Sequence, residues 1–264
     1  MSTTDTLPTP RLDRNPDASL GGEAKARYVR GMFARIAGRY DLMNSVMSFG
    51  QDAMWRRVTV RAANPRPGGP ALDVATGTGR IAQELARQGA RAVGVDFTVA
   101  MMQRGRESGV GAHEEVYFAG ADALALPFAD DTFDSVTTGF AMRNVTDVEA
   151  AFREMYRVVR PGGRVVCLEV GRPRWALTRY FHGVYTRRVV PLLGKVIAGD
   201  GDAYTYLPSS MGKFPPPEEL AAIMRRAGLS NVRWKQLTMG AAAVHAGTKP
   251  PARSRARERE ASRG

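Results

Sequence analysis

Two glycines and three carboxylates stand at spacings that suit a nucleoside. Gly77 and Gly79 lie in Asp73-Val-Ala-Thr-Gly-Thr-Gly-Arg-Ile-Ala82, between an apolar run and a helical one. Glycines in a strand-to-helix turn let backbone N–H groups approach a ligand closely. Asp96 closes the next apolar run, 19 residues after Gly77. A carboxylate there accepts hydrogen bonds from both hydroxyls of a ribose. Gly120-Ala-Asp122-Ala123 ends a third run, where a polar side chain reads an adenine edge. Asp73, just before the loop, would repel a pyrophosphate and suits the ammonium of an amino acid. Ribose, adenine and a charged amino acid without phosphate describe S-adenosylmethionine. A dinucleotide such as NAD is the competing reading, and Asp73 counts against it.

The elements that must position these groups follow from periodicity. Tyr28, Val29, Met32, Phe33 and Ile36 recur at three and four, which predicts a helix over 23–36. A turn-like Gly-Arg-Tyr-Asp, a Met-rich stretch to Phe49 and a helix from Met54 to Ala63 come next, broken by ANPRPGG. Strands are expected at 71–75, 91–96, 116–122, 133–140 and 164–170, with helices at 80–88, 100–106 and 147–160 between them. Pro161-Gly162-Gly163 is read as the stop of the last helix. Strands alternating with helices make a doubly wound α/β sheet. Arg174 to Ile197 mixes aromatics, Arg and an apolar Val-Val-Pro-Leu-Leu. A helix from Pro217 to Ala227 precedes a hairpin of 231–238 and 241–248, an antiparallel edge.

Composition narrows the class. Of 264 residues 44% are hydrophobic, enough for a sizeable core, and no run approaches the ~18 apolar residues of a membrane span. MSTTDTLPTP has no basic region followed by an apolar one, so no secretory signal is expected. A single Cys excludes an internal disulfide, and three scattered His predict no metal site. Cys167, in mid-strand, reads as inert core. His113 reads as solvent-exposed, His245 as structural, and His182 either lines a channel or packs. The net charge is +12, and only five of the 38 basic residues are Lys. Residues 1–22 and the Arg-rich 250–264 are read as disordered tails around a domain spanning 23–249, whose segment 23–64 forms a helical lid.

Between Tyr28 and Lys249 the chain resembles the quinone-biosynthesis C-methyltransferases, which methylate demethylmenaquinol or a polyprenyl-benzoquinol. The likeness rests on Arg39-Tyr-Asp-Leu-Met-Asn44, Ser48-Phe-Gly50 with Trp55, and Leu72-Asp-Val-Ala-Thr-Gly-Thr-Gly79. It continues through Ala125-Leu-Pro-Phe128, Phe133-Asp134, Arg143-Asn-Val145, Tyr156-Arg-Val-Val-Arg-Pro-Gly-Gly163 and Leu168-Glu169. Tyr204-Thr-Tyr-Leu207, Phe214-Pro215, Ala227-Gly228 and His245-Ala-Gly-Thr-Lys249 complete it. The resemblance implies a seven-strand, mostly parallel sheet with an antiparallel C-terminal hairpin, the class I S-adenosylmethionine-dependent methyltransferase fold. It implies the cofactor at Thr78, Asp96 and the Asp122-Ala123 pair, beside the Asp73, Gly77 and Gly79 that the loop chemistry already singles out. The family often carries Ser where this chain has Gly139, so Gly139 is expected to meet the cofactor through backbone alone.

Under that resemblance the acceptor is a ring carbon beside a quinol hydroxyl, nucleophilic once the hydroxyl ionises. Arg143, after the fourth strand, is expected to stabilise the phenolate, with Asn144 orienting the ring and water relaying the proton. Tyr40 and Asp41, on the lid, are further candidates. The expected partners are a prenylated quinol, an anionic membrane surface met by Trp175 to Ile197, and a second copy of the chain. The expected location is the cytoplasm and the inner face of the cell membrane. An oxidoreductase would need a pyrophosphate-friendly loop. A nucleic-acid methyltransferase would need a loop Cys or an Asn/Asp-Pro-Pro-aromatic tetrapeptide, and neither occurs. A binding module without turnover shares the loop and stays open.

Overall fold

The computed structural model describes residues 22–112, 114–171, 173, 175–195, 206, 210–212 and 214–251. The expectations for both tails, His113, Tyr204, Thr205 and Leu207 lie outside them.

Seven strands form one sheet in the order β3-β2-β1-β4-β5-β7-β6. They are β1 (Pro70–Val74), β2 (Arg91–Asp96), β3 (Val116–Gly120), β4 (Phe133–Gly139), β5 (Val159–Val170), β6 (Ser230–Leu237) and β7 (Ala242–Thr248). The first five pair in parallel, while β7 runs antiparallel to β5 and to β6. The helices are α1 (Gly22–Ile36), α2 (Tyr40–Met47), α3 (Gln51–Ala63), α4 (Arg80–Arg87), α5 (Val99–Glu107), α6 (Val148–Val158), α7 (Ala176–Val184), α8 (Val190–Leu193) and α9 (Pro217–Arg226).

Alternation along β1 sends Leu72 and Val74 to Phe152 and Met155 of α6 and Leu220 and Met224 of α9. Ala71 goes to the other face with Val60 of α3 and Ile81 and Leu85 of α4. Strand order reverses between β1, which continues outward to β2, and β4, so the carboxyl ends of these two strands flank the crevice where such sheets bind ligands.

Three expectations need adjustment. Helix α6 ends at Val158, and Val159 already pairs with Phe133 in the sheet. The β-branched pair Val158-Val159 and the extended bias on the residue before Pro161 stop the helix early. Tyr40 and Asp41 open α2, the turn being the three residues Ala37–Arg39 before it. Of the expected lid, α3 packs into the sheet layer, its Trp55 and Ala63 lying with Val166, Leu168 and Val244. Val190, Tyr185 and Leu193 join Val29, Met32 and Met43 of α1 and α2 in a separate cluster.

Candidate active site

The glycine loop turns between β1 and α4 at the sheet's carboxyl end. Gly79 stands at φ 80°, and a Cβ there would come within 2.4 Å of the Phe118 ring. The Gly77 N–H donates to Asp96 Oδ2 at 2.8 Å, and the Thr98 N–H to Asp96 Oδ1 at 2.7 Å. Asp96 is thereby fixed at the edge of a cleft whose wall also contains Gly77, Asp122, Ala123, Gly139 and Asn144. Burial raises the Asp96 carboxyl, and the backbone N–H groups oppose that. Asp122 keeps one oxygen in a local turn, accepting the Leu124 N–H at 2.9 Å. Val29 and Phe33 of α1 and Tyr40 of α2 close the cleft from above. At Gly139 a Cβ would lie 2.4 Å from Ile81 Cδ1, so the space a serine needs is taken by α4.

Three expected cofactor ligands, Asp73, Thr78 and Gly79, do not line the cleft. Asp73 is 1% exposed, its Oδ1 accepting from Thr137 at 2.8 Å and its Oδ2 from Thr76 at 2.6 Å. Burial pushes its carboxyl up to about 7. Both oxygens of Asp73 thus brace the loop from beneath. Thr78 gives its hydroxyl to Asp41 Oδ1 at 2.7 Å, and Gly79 caps α4.

The donor set of the cleft fits S-adenosylmethionine. Asp96 suits a ribose diol, and Asp122 with Ala123 suits the adenine end. Asn144 Oδ1, buried without a partner among the described residues, is an acceptor suited to an ammonium. No group of three or more metal-ligating side chains occurs among the described residues.

A second cavity, about 500 Å³ and mostly apolar, shares Phe140 with the cleft. Its wall includes Met47, Phe49, Trp55, Arg143, His182 and Tyr185. Its shape is held by the Trp55 Nε1–H donating to Thr238 Oγ1 at 2.9 Å and the Tyr185 hydroxyl donating to the Met47 carbonyl at 3.1 Å. Burial lowers the His182 imidazole, which is neutral at pH 7. Of the two readings of His182, the structure selects the channel wall.

Arg143 and Asn144 sit in a single 3-10 turn, Met142–Asn144, after β4. Lys25 of α1 clamps that turn, donating to the Val145 carbonyl at 3.0 Å and the Arg143 carbonyl at 3.3 Å. The turn points the two side chains apart: Asn144 lines the cleft and Arg143 the apolar cavity. Tyr40 stands beside them, its phenol raised by burial, while a hydrogen bond with Asn44 and the Arg143 charge act the other way.

Arg143 is not a free cation. Its Nη1 donates to Glu169 Oε2 at 2.9 Å, and both side chains are buried. Sequence reasoning treated 164–170 as an apolar strand and gave Glu169 no role. The signal was present, since a lone carboxylate in a buried strand requires a partner.

The sequence pattern of the ubiE/COQ5 methyltransferase family matches residues 22–249. A demethylmenaquinone methyltransferase of Roseiflexus castenholzii is 53% identical over 229 residues, covering 86% of this chain and 95% of that one. One from Thermus thermophilus is 47% identical over 221 residues, covering 83% and 100%. Among solved structures, an S-adenosylmethionine-dependent methyltransferase of Thermotoga maritima superposes with a TM-score of 0.58 at 24% identity, over 83% of this chain and 98% of its own.

Proposed function

The chain belongs to the ubiE/COQ5 methyltransferase family, and from that premise we propose that it transfers a methyl group from S-adenosylmethionine to a ring carbon of demethylmenaquinol. The cofactor and the reaction class follow from the family and fold. The acceptor is the one for which the relatives are named. The observation that carries the reading is the meeting of a polar cleft and an apolar cavity at Phe140, with Asn144 facing one and Arg143 the other.

Bound in the cleft, S-adenosylmethionine supplies an electrophilic methyl group. Asp96 would hold its ribose, Asp122 and Ala123 its adenine, and the Gly77 backbone its flank. What remains for the chain is positioning and electrostatics. A neutral quinol ring carbon is a poor nucleophile; loss of the neighbouring hydroxyl proton to water activates it, and water also takes the ring proton that the methylated carbon gives up. Arg143 donates hydrogen bonds where that oxyanion develops, with little reorganisation because Glu169 already fixes it. Tyr40, its phenol raised, stays protonated and is a second donor. Met47, Phe49 and Tyr185 exclude water from the ring.

The prenyl chain brings in the membrane. No helix among the described residues is long and apolar enough to cross one. Phe49 and Met239 line the acceptor cavity and are 79% and 72% exposed. Trp175, Tyr180 and Leu192 are exposed on the same polypeptide stretch as the exposed Arg179, Arg187 and Arg188. Apolar side chains at a cavity mouth with nearby cations suit reversible attachment to an anionic lipid surface, from which a prenylated quinol enters.

The test is methylation with labelled S-adenosylmethionine of demethylmenaquinol and of a polyprenyl-benzoquinol in parallel. Faster turnover of the naphthoquinol supports the reading. Turnover of the benzoquinol alone moves the enzyme to the other acceptor, and turnover of neither ends the reading.

A further inference from the structure

Arg143 also belongs to the wall of a smaller cavity, about 30 Å³, together with Glu169, Phe214, Leu220, Ala243 and His245. Three of these residues carry a buried polar atom with no partner among the described residues: Arg143 Nε, Glu169 Oε1 and His245 Nδ1. Their hydrogen-bonding roles are fixed. The Arg143 Nε–H can only donate. Glu169 uses Oε2 for Arg143 Nη1 at 2.9 Å and for the Val170 N–H at 3.0 Å, which leaves Oε1 as an acceptor. His245 Nε2 lies 3.0 Å from the Pro217 carbonyl, which can only accept, so the ring proton sits on Nε2 and Nδ1 is a second acceptor. Burial keeps that imidazole neutral, its pKa lowered to about 4, so the tautomer holds at neutral pH.

The wall therefore offers one donor and two acceptors, and the two acceptors cannot satisfy each other. Water supplies the complement, two donors and a lone pair. A cavity needs only ~10–15 Å³ and two to four polar partners to hold one. We propose that this cavity binds one internal water, donating to Glu169 Oε1 and His245 Nδ1 and accepting from Arg143 Nε–H, which makes Glu169 and His245 positioning residues for the guanidinium. The bridge extends from β5 to β7, so the cation facing the acceptor is tied to two adjacent strands. Its catalytic consequence rests on the function proposed above; the water site itself does not.

A high-resolution crystal structure of the wild-type chain tests the site directly. Density within hydrogen-bonding distance of all three atoms is expected. An empty cavity, or Glu169 and His245 in direct contact, overturns the proposal. Kinetics of Glu169→Gln, His245→Phe and the double variant on demethylmenaquinol test the consequence. Each single change should lower kcat by roughly tenfold, the order of one charged hydrogen bond, with KM for the quinol and S-adenosylmethionine affinity kept. The double variant should fall no further than the worse single, Glu169→Gln, which cuts the bridge and also neutralises the direct partner of Arg143. Losses that multiply, or wild-type kcat in His245→Phe, overturn the coupling. Should His245→Phe not fold, Ala243→Val crowds the water and leaves all three polar groups. It should show the same fall in kcat alone, and wild-type kcat there overturns the coupling. A wild-type enzyme inactive on any quinol would remove the function reading and leave the density to decide the site.

Discussion

Asp41 on α2 accepts the Thr78 hydroxyl at 2.7 Å, so one carboxylate joins α2 to the glycine loop. Its other oxygen takes Arg80 Nε at 2.8 Å, at the start of α4. Tyr40, the preceding residue, closes the cleft. A change in the loop is therefore transmitted to a residue of the cleft wall.

Asp41→Asn should loosen that connection. The ion pair is partly exposed, with side chains 26% and 30% accessible, and is worth about 1 kcal/mol or less. S-adenosylmethionine affinity should weaken by roughly three- to fivefold, and KM for the quinol should rise with it. Calorimetry and steady-state kinetics give the two values, and a change in neither would show lid and loop to be independent.

Asp96→Ala removes the ribose acceptor and the brace on the Gly77 and Thr98 amides together. The loss in cofactor affinity should be about 2–4 kcal/mol. Unchanged affinity by calorimetry would remove Asp96 from the ribose site.

Arg143→Ala should act on turnover instead. Loss of one oxyanion donor costs on the order of 100-fold in kcat. Cofactor affinity should be nearly kept, because Arg143 lines the acceptor cavity and not the cleft. Full activity would reassign the Arg143–Glu169 pair to structure alone.

Asp73 gives a pH dependence of definite sign. Its folded pKa, about 7, lies above the ordinary carboxylate value of 3.8. The folded state thus holds the proton more tightly, and this contribution to stability is complete below about pH 4 and lost as pH rises through 7. His245 works in the opposite direction, its pKa lowered from 6.5 to about 4, so comparison with a variant is needed to isolate Asp73. Asp73→Asn cannot ionise. Its melting temperature should gain on the wild type between pH 4 and 7 and level off above. Parallel melting curves across that window would show that Asp73 ionises freely in the fold.

Attachment to lipid should depend on salt. Each basic residue near an anionic surface contributes about 1 kcal/mol. Sedimentation with anionic vesicles at low salt should retain the wild type and release much of an Arg187→Ser, Arg188→Ser variant, while neutral vesicles retain little of either. Binding to neither vesicle type at any salt would end the surface-visit reading.

The sheet was largely legible because its strands are short apolar runs bounded by glycine loops, as at 91–96, and packing agrees with local pattern there. Local pattern misled at Val159, where pairing with Phe133 outweighs the helical periodicity of the residues before it. Asp73 was placed beside the loop by its spacing, but its hydrogen bonds were not legible. Spacing cannot show that Thr76 and Thr137 already occupy both of its oxygens. The partners of Arg143 were hidden for the same reason. Glu169 lies 26 residues away, and only the parallel pairing of β4 with β5 brings it beside the turn after β4.

The central claim is that a ring carbon of demethylmenaquinol, held at Arg143, takes the methyl group of a cofactor held at Asp96. The most direct measurement uses S-adenosylmethionine carrying a carbon-13 methyl group, purified enzyme and demethylmenaquinol, with the product read by NMR. The account predicts one labelled methyl on the ring carbon next to a hydroxyl-bearing carbon, formed by the wild type and strongly reduced in Arg143→Ala. Label on a quinol oxygen, or none on the quinol, would contradict it.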